Sequence, residues 1–296
     1  MSCVAPMERL ELTVAPAQDG RTVGSLMRRE LSMADGLISS VKFRPDGILV
    51  NGRRSRVTER VAAGDVLSVR VGDPGRNDAA PLELPLDILW EDDALAVLDK
   101  PAGVGVYGEG TPNIAGILAH MWGNSIEFHP VNRLDVGTTG IMVAAKDGYT
   151  HDRLRRLLHT DDFRREYLAV AEGEVTPATS SVDLPITRMP VDGTRRAVAA
   201  DGLPSRTDYE VLGFRGGRTL LRLRLHTGRT HQIRVHMAAI GHPLVGDALY
   251  GAPSPDIARP ALHSHHLLLR HPITGETLDI TAPIPEDMAR LWKAGI

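Results

Sequence analysis

Residues 129–140 read HPVNRLDVGTTG, and the apolar run IMVAA follows directly at 141–145. An unbroken apolar run behind Gly and Thr predicts a buried strand that is entered through a turn. Two charged residues, Arg133 and Asp135, stand in that turn. Their ordinary interpretation is structural, with Asp135 capping the turn and Arg133 neutralising it, because Asp, Gly and Thr are common turn residues. A functional role needs support from other parts of the chain.

Short strands dominate the chain from Leu86 onward. Helical periodicity is found mainly in YTHDRLRRLLHT (149–160) and in THQIRVHMAAIG (230–241), the latter stopped by Gly241 and Pro243. An excess of strands over helices predicts an α+β domain with a mixed, mainly antiparallel β-sheet. The predicted strand segments, many of them separated by Gly, Pro or Asp, are DILW, ALAVLD, GIMVAA, EYLAVAEG, RTDYEVLGF, RTLLRLRLHT, HHLLLRHP and ETLDITAP.

The N-terminal part of the chain has a different pattern. Residues 22–41 carry apolar side chains at helical spacing, interrupted near Ser32, which predicts two short helices. A short strand, an Asn51-Gly52 turn and a second strand after Gly64-Asp65 follow them. Two helices followed by a small β unit are enough for a compact small domain.

These patterns divide the chain of 296 residues into two domains of unequal size. Residues 73–85 are rich in Gly, Pro, Asp and Ala and show no period, which is typical of a linker. We therefore expect a small helical and β domain at 1–72, a linker at 73–85 and a larger domain at 86–296.

The small domain carries the segments ILVNG and AAGD. Over residues 19–71 it resembles the RNA-binding domain first recognised in ribosomal protein S-four. In that family the helix pair carries basic residues that meet RNA. The alternative is a solvated charged face. The matching positions here are Arg28, Arg29, Lys42 and Arg44.

Composition and charge restrict the class of protein. With 42% hydrophobic and 24% charged residues, and no apolar stretch near the roughly 20 residues of a membrane span, we expect a soluble protein with no membrane partner. The formal charge of -3 disfavours non-specific coating of nucleic acid. Cys3 is the single cysteine, and the start MSCVAPMERLELTV has no basic segment followed by an apolar one. Secretion and a disulfide framework are therefore disfavoured, and we expect a cytoplasmic protein.

Two further segments place polar groups beside apolar sequence, as 129–140 does. They are RREYLAVAEG (164–173) and LHTGRTHQIRVHMAAIGHPLVGDALYG (225–251). Together the three resemble the motifs of the RluA-type pseudouridine synthases, which read like HRLDxxTSG, KxYxAxxxG and TGRTHQIRxHxxxxGHPxxGDxxYG. The similarity extends to LPLDILWEDDALAVLDKPAGVGV before them and ALHSHHLLLRHPITGETLDITAPIP after them, so it covers residues 86–285. It implies the pseudouridine synthase fold.

The resemblance implies that uridines in RNA are isomerised to pseudouridine. This reaction breaks the bond from ribose to a base nitrogen and remakes it to a base carbon, with no net redox change and no group transferred. No cofactor and no metal are therefore expected. The reaction needs a carboxylate at the anomeric carbon, acting as a nucleophile or as a base at the sugar, and a pocket that keeps the freed uracil while it turns. The resemblance assigns Asp135 as that carboxylate.

The resemblance also assigns the residues around the carboxylate. A carboxylate in a closed site needs a cationic partner, and Arg234, the second arginine of GRTHQIR, takes that place. Arg133 enters the stack that is vacated when the nucleotide is flipped out of folded RNA, and Tyr167 packs against the extruded base. Arg229 and His231, in the same motif as Arg234, are expected to bind substrate.

Three positions depart from the family motifs, since Asn132, Thr139 and Arg165 stand where His, Ser and Lys are usual. All three keep polarity or charge and none is the assigned carboxylate, so they bear on the choice of RNA more than on activity. The expected partner is structured RNA, either ribosomal or transfer RNA, with ribosomal RNA preferred. We expect a monomer, because these folds need no second copy to complete the site.

Three other functions are less compatible with the sequence. A glycosidase would need two carboxylates, and the nearest second candidate, Glu166, would face away from Tyr167 in a strand. Zinc is disfavoured despite many C-terminal histidines, because there is no HExxH and His231 and His236 lie on different helix faces. A catalytically inactive RNA-binding or ribosome assembly factor of the same fold is disfavoured by the intact motif residues.

The strand at 219–226 alternates leucines with Arg222, Arg224 and His226, so one of its faces is basic. This face is either a track for RNA or an ordinary solvated surface. Gly246 and Asp247 are expected to be structural, with the glycine supplying backbone freedom in a turn.

Overall fold

The computed structural model describes residues 7–72, 78–108, 112–123, 126–189 and 193–293. Within these ranges the chain forms a four-stranded sheet, a ten-stranded sheet and a separate two-stranded hairpin. Six α-helices accompany them in the same ranges.

The four-stranded sheet lies in the N-terminal part of the chain and is antiparallel, in the order β1-β4-β2-β3. The two helices predicted within 22–41 are confirmed. The predicted Asn51-Gly52 turn is also confirmed, and both of its residues have positive φ, 50° and 76°, as a two-residue hairpin turn of this kind requires. The first strand is an addition to the prediction. The elements are β1 (Arg9–Thr13), α1 (Val23–Arg29), α2 (Asp35–Val41), β2 (Ile48–Val50), β3 (Arg53–Arg54) and β4 (Val66–Arg70).

The ten-stranded sheet has the order β10-β13-β14-β9-β15-β8-β6-β5, with β16 paired to β15 and β7 paired to β8. Among the named strands of the described ranges, only β8 and β15 pair in parallel. The predicted α+β class with a mixed, mainly antiparallel sheet is therefore confirmed. Its strands are β5 (Asp87–Glu91), β6 (Leu95–Lys100), β7 (His129–Pro130), β8 (Thr139–Ala145), β9 (Phe163–Glu172), β10 (Thr179–Asp183), β13 (Arg206–Arg215), β14 (Arg218–Leu225), β15 (Leu262–Arg270) and β16 (Thr277–Thr281), while β11 (Ile186–Arg188) and β12 (Arg196–Val198) form the hairpin.

Four helices accompany this sheet, and two of them follow the predicted periodicity. These are α4 (Gly148–Leu157) and α5 (Gln232–Ala239). The prediction missed α3 (Ile114–Trp122) and α6 (Glu286–Lys293). The segment of α3, IAGILAHMW, is buried on nearly every side, so it lacks the polar face that marks a surface helix in a sequence.

The apolar run behind the opening turn forms strand β8, and all seven of its residues are buried. It lies between β6 and β15 in the sheet, so it is covered by neighbours on both edges. The prediction of a buried strand entered through a turn is confirmed. The turn, and the two charged residues in it, lie at the edge of the main apolar core.

Contacts join the N-terminal elements to the larger sheet. The ring of Tyr149, on α4, is buried in the apolar core of the N-terminal part, and its hydroxyl donates to the carbonyl of Leu31 at 2.7 Å. The backbone N–H of Met7 donates to the carbonyl of Asp93 at 2.9 Å. Residues 73–77 of the predicted linker lie outside the described residues, and 78–86 form neither helix nor strand. The described residues include no helix long and apolar enough to cross a membrane.

Candidate active site

The turn that carries Asp135 is held from several directions. The backbone N–H of Thr138 donates to the carbonyl of Asp135 at 3.0 Å, and the carbonyl of Val136 accepts from Gly103 at 2.8 Å. Gly140 then enters β8 with φ +103°, and a Cβ there would lie 2.1 Å from the carbonyl oxygen of Ser264. Only glycine fits this approach between β8 and β15. The Gly and Thr residues of the motif therefore give the aspartate a fixed position.

Two of the three departures from the family motifs, Asn132 and Thr139, lie in the segment around this turn, whereas Arg165 lies on β9. The Asn132 side chain accepts from the backbone N–H of Val143 at 2.8 Å, and Thr139 Oγ1 lies 3.0 Å from Nδ1 of the buried His263. Asn132 and Thr139 therefore bond within the fold. Arg165 is buried at 6% exposure, and its Nε has no hydrogen-bond partner among the described residues.

Arg234 lies beside Asp135, although 99 residues separate them in sequence. Its Nη1 donates to Asp135 Oδ2 at 3.3 Å, while its Nε and Nη2 donate to the two carboxylate oxygens of Asp247 at 2.7 and 2.8 Å. Arg234 is 8% exposed and Asp247 is fully buried. Burial alone would lower the pKa of Arg234, but the bonds and charges of Asp247 and then Asp135 outweigh it and raise that pKa. The guanidinium therefore stays charged beside Asp135.

Asp247 is the most important residue whose role the motif pattern did not reveal. It follows Gly246, which has φ +75° and whose Cβ would lie 2.4 Å from the carbonyl oxygen of Arg259. Gly246 and Asp247 were both expected to be structural, and the close backbone approach at Gly246 agrees with that expectation for the glycine. The carboxylate does more, because it grips Arg234 with a planar, two-bond contact and leaves one guanidinium nitrogen to face Asp135.

The loop before α5 brings His231 to the same carboxylate. Gln232, 2% exposed, accepts from Thr227 and from the backbone of Arg229 and so ties the loop together. His231 has the left-handed φ of 58°, and its Nε2 lies 3.8 Å from Asp135 Oδ2.

The protonation state of His231 follows from Tyr250. The Tyr250 hydroxyl accepts from the backbone N–H of Arg196 at 2.9 Å and therefore has its proton free for His231 Nδ1, 2.8 Å away. Burial lowers the pKa of His231. The negative charge of Asp135 acts to raise this pKa, and the positive charge of Arg234 lowers it further. A neutral ring with its proton on Nε2, facing Asp135, satisfies all of these contacts.

Tyr167 lies on β9 at 3% exposure and lines a small cavity of about 50 Å³ together with Asp135 and Arg234. A larger open cleft of about 640 Å³ adjoins the same carboxylate and includes Arg133, Arg229 and His231 in its lining. The structure therefore brings together all six residues that the resemblance singled out. They are Arg133, Asp135, Tyr167, Arg229, His231 and Arg234.

The arginines of the cleft differ from those of the neighbouring strand. In the described part of the chain, Arg133 and Arg229 are exposed and have no carboxylate partner in an ion pair. On β14, by contrast, Arg222 pairs with Glu210 and Arg224 pairs with Asp161, each at 2.8 Å. The basic face of that strand is thus largely neutralised, which favours the solvated surface over a track for RNA. Positive charge that is not neutralised by a carboxylate of the described residues is therefore available at the cleft.

Lys100 holds the backbone segment that follows Asp135, and the motifs did not single it out. It is fully buried, and its ammonium donates to the carbonyls of Pro101 and Val104 at 2.8 Å and of Val136 at 3.4 Å. Burial lowers the pKa of Lys100 to about 8, although the charge of Asp135 opposes this. The lysine therefore ties the segment after the aspartate to the end of β6.

The other functions considered find little support in this geometry. Glu166 faces away from Tyr167, 3.8 Å from Arg222, so it cannot serve as a second carboxylate across the cleft. Asp247 is sealed behind Arg234. His236 bonds to Thr207 and to the carbonyl of Leu184. The ranges that the structure describes contain no group of three or more His, Cys, Asp or Glu side chains placed to hold a metal ion.

Comparison with known proteins gives one consistent result. The sequence profile of RNA pseudouridylate synthases matches residues 94–239. The chain is 37% identical to an uncharacterized RNA pseudouridine synthase of Bacillus subtilis, over 89% of this chain and 96% of that protein. It is 38% identical to ribosomal large subunit pseudouridine synthase D of Yersinia pestis, over 98% of this chain and 96% of that protein.

Solved structures agree with the sequence comparison. The structure of human RNA pseudouridylate synthase domain containing 4 superposes with a TM-score of 0.57 at 25% identity, over 68% of this chain and 90% of that chain. With the matching profile and relatives of this identity over most of their length, the chain belongs to the RNA pseudouridylate synthase family.

Proposed function

We propose that this pseudouridine synthase modifies uridines of large-subunit ribosomal RNA, with Asp135 as the carboxylate that acts at the ribose. The observation that carries the proposal is the contact of Asp135 with a permanently charged Arg234 at the edge of an open cleft of about 640 Å³. The choice of ribosomal RNA is supported by relatives from Yersinia pestis and Nitrosomonas europaea that are named ribosomal large subunit pseudouridine synthase D.

The chemistry divides among the residues as follows. The bond from carbon 1′ of ribose to nitrogen 1 of uracil breaks, the base turns, and carbon 5 bonds to carbon 1′. Carbon 5 then loses its proton and nitrogen 1, which carries none in uridine, gains one, so atoms and electrons balance. Asp135 either attacks carbon 1′ or removes a proton from the sugar. Arg234, held by Asp247, keeps the carboxylate oriented.

The remaining residues of the cleft bind the RNA. Tyr167 offers its flat face to the freed uracil within the small cavity, and that cavity of about 50 Å³ must widen to admit the base. Arg133 is exposed at the mouth and fills the stack from which the uridine is withdrawn. Arg229 and His231 bind the substrate from the opposite loop.

We further propose the division into an S-four-like RNA-binding domain at 1–72, a linker at 73–85 and a catalytic domain at 86–296. Support comes from the apolar core of the N-terminal part, to which the larger part contributes Tyr149, and from a groove of about 580 Å³ lined by Lys42, Phe43, Arg54 and Arg56. Of the four basic residues assigned by resemblance, Lys42 lines this groove, while Arg28 is paired with Asp35 at 2.7 Å. A cytoplasmic monomer is part of the same proposal.

The substrate is tested with two RNAs. The purified protein is incubated with large-subunit ribosomal RNA and, separately, with bulk transfer RNA, and modified uridines are mapped in each. We expect new pseudouridines in the ribosomal RNA, and we expect the same sites to lack the modification in cells without the gene. Modification confined to transfer RNA would overturn the choice of substrate. Retained RNA without any pseudouridine would overturn the proposed activity.

The role of the free arginines is tested with a matched pair. Arg133→Ala removes a cation that lacks an ion-pair partner in the described chain, whereas Arg224→Ala removes one that is already paired with Asp161. We expect weaker RNA binding for the first variant only, because Arg133 is assigned to the base stack of the RNA, whereas Arg224 is already paired within the protein. Equal effects of the two substitutions would contradict the assignment.

A further inference from the structure

Tyr107 is an aromatic side chain at the rim of the cleft. It is 56% exposed, yet it lines the same cleft as Asp135 and Arg133. The other strongly exposed aromatic rings of the described chain, Phe43 at 76% and Phe214 at 48%, do not line this cleft. An exposed ring beside the reacting carboxylate, in a chain with only 4% aromatic residues, requires a reason.

The ring is held in place without a ligand. The Tyr107 hydroxyl donates to the carbonyl of Phe128 at 2.9 Å, and the two rings are in tilted contact with their centroids 5.2 Å apart. Burial of the hydroxyl, with a smaller effect of Glu127, raises the pKa of Tyr107 to about 12, so this donor persists at all working pH values.

The backbone before Tyr107 is equally well anchored. Gly105 donates to the carbonyl of Pro112 at 2.8 Å, and the carbonyl of Val106 accepts from Ala115 at 3.2 Å, at the start of α3. One edge of the tyrosine is thus fixed to the protein, while over half of its surface is exposed and the residue lines the cleft. A ring that is already ordered loses little conformational freedom when a partner stacks on it.

The charge of the cleft around Tyr107 indicates which kind of molecule stacks on the ring. Arg133 and Arg229 line the same cleft and have no carboxylate partner among the described residues, so the neighbouring surface suits a polyanion. An isolated ring among cations is too small a patch for a protein or lipid surface, but it matches one nucleobase. Withdrawing a uridine from folded RNA also removes the stacking partner of the base next to it.

We propose that Tyr107 is a stacking platform for the nucleobase adjacent to the flipped uridine. This rests on the proposed RNA substrate and adds an interaction outside the catalytic group. The adjacent base leaves its own stack and lies against the exposed face of the ring, while Arg133 fills the gap left by the uridine and Arg229 contacts a neighbouring phosphate. Base–aromatic stacking tolerates any base, so the platform favours an unpaired neighbour rather than a particular sequence.

The test uses a ribosomal RNA fragment that carries the uridine mapped above, with 2-aminopurine next to it. Stacking on an aromatic ring quenches this fluorescent base. We expect wild-type protein to quench it, Tyr107→Ala to lose the quenching and to raise KM about 10-fold, and Tyr107→Trp to restore both. The matched control is Phe214→Ala, at the far end of β13 from the cleft, which should behave as wild type.

The outcomes separate this inference from the function on which it rests. A folded Tyr107→Ala variant, verified by circular dichroism and thermal unfolding, with wild-type KM and wild-type quenching would overturn the platform and leave the proposed function standing. A wild-type protein that forms no pseudouridine in any RNA would overturn the proposed function, and the platform with it. If Tyr107→Phe retains the wild-type KM and quenching, the ring rather than the hydroxyl makes the interaction, as proposed.

Discussion

Replacing Asp247 by Asn isolates the contribution of the buried carboxylate behind the site. Asp247 Oδ1 accepts from Arg234 Nη2 at 2.8 Å and from the backbone of Leu249 and Tyr250, and Oδ2 accepts from Arg234 Nε at 2.7 Å. An asparagine can keep its oxygen where Oδ1 stands. Its amide nitrogen must then replace Oδ2, so a donor faces the Nε–H of Arg234 and the cation loses its main counter-charge.

The magnitude follows from the burial of both partners. Asp247 is fully buried and Arg234 is 8% exposed, so water cannot replace the missing acceptor. Removing one partner of a buried ion pair costs about 3–5 kcal/mol, and the retained oxygen of Asn places this change near the lower end. We expect a loss of about 3 kcal/mol in unfolding free energy, which lowers the thermal midpoint by roughly 5–10 °C.

The assay compares Asp247→Asn with Asp256→Asn by thermal and urea unfolding. Asp256 also pairs with one arginine, Arg218 at 2.6 Å, but its side chain is 46% exposed. An exposed pair of this kind contributes about 1 kcal/mol or less. A large loss for Asp247→Asn with little change for Asp256→Asn is the expected result. Equal small losses would refute the claim that the buried carboxylate fixes Arg234.

Three further predictions concern single side chains. Burial lowers the pKa of Lys100 from 10.5 to about 8. Between these pH values the unfolded chain binds more protons than the folded protein, so the free energy of unfolding rises with pH. In urea unfolding measured from pH 8 to 10.5, Lys100→Met should remove up to roughly 3 kcal/mol of that rise. Burial, and to a smaller extent the charge of His265, lowers the pKa of His263 from 6.5 to about 4. The contribution of neutral His263 to the unfolding free energy is therefore fully present above pH 6.5 and is lost as the pH falls to 4. His263→Gln should flatten this loss in acid unfolding curves. Arg234→Lys replaces three guanidinium nitrogens, which bond the carboxylates of Asp135 and Asp247, by a single ammonium group. We expect kcat to fall about 100-fold, while RNA binding in a filter assay is retained. Unchanged pH curves or an unchanged kcat in these variants would contradict the corresponding interaction.

The fold and the candidate site were predictable where local pattern decides the structure. The buried strand β8 follows from its apolar run, and α4 and α5 follow from helical spacing. Helix α3 was not predictable in this way, because its residues are buried nearly all round and give no polar face. The pairing of Asp135 with Arg234 came from the motif resemblance, and the distance of 3.3 Å agrees with it.

Residues that act through another side chain were not predictable. The role of Asp247 depends on its bonds with Arg234 across 13 residues, and the role of Lys100 depends on carbonyls up to 36 residues away. Both separations are much longer than the spacing of three or four residues, or of two, over which a helix or strand pattern places side chains together. The basic face of β14 gave an ambiguous pattern, because its acidic partners, such as Asp161 and Glu210, come from other segments. Such pairings are properties of the tertiary structure.

The most direct test of the central claim measures the release of tritium from carbon 5 of uridine in ribosomal RNA by wild-type protein, Asp135→Asn and Asp161→Asn. The first substitution removes charge and keeps volume, and the second removes a carboxylate that is 88% exposed and away from the cleft. We predict that release falls by more than about 100-fold for Asp135→Asn, with unchanged folding and RNA affinity, and stays at the wild-type level for Asp161→Asn. Substantial release by a purified Asp135→Asn variant would contradict the role of this carboxylate.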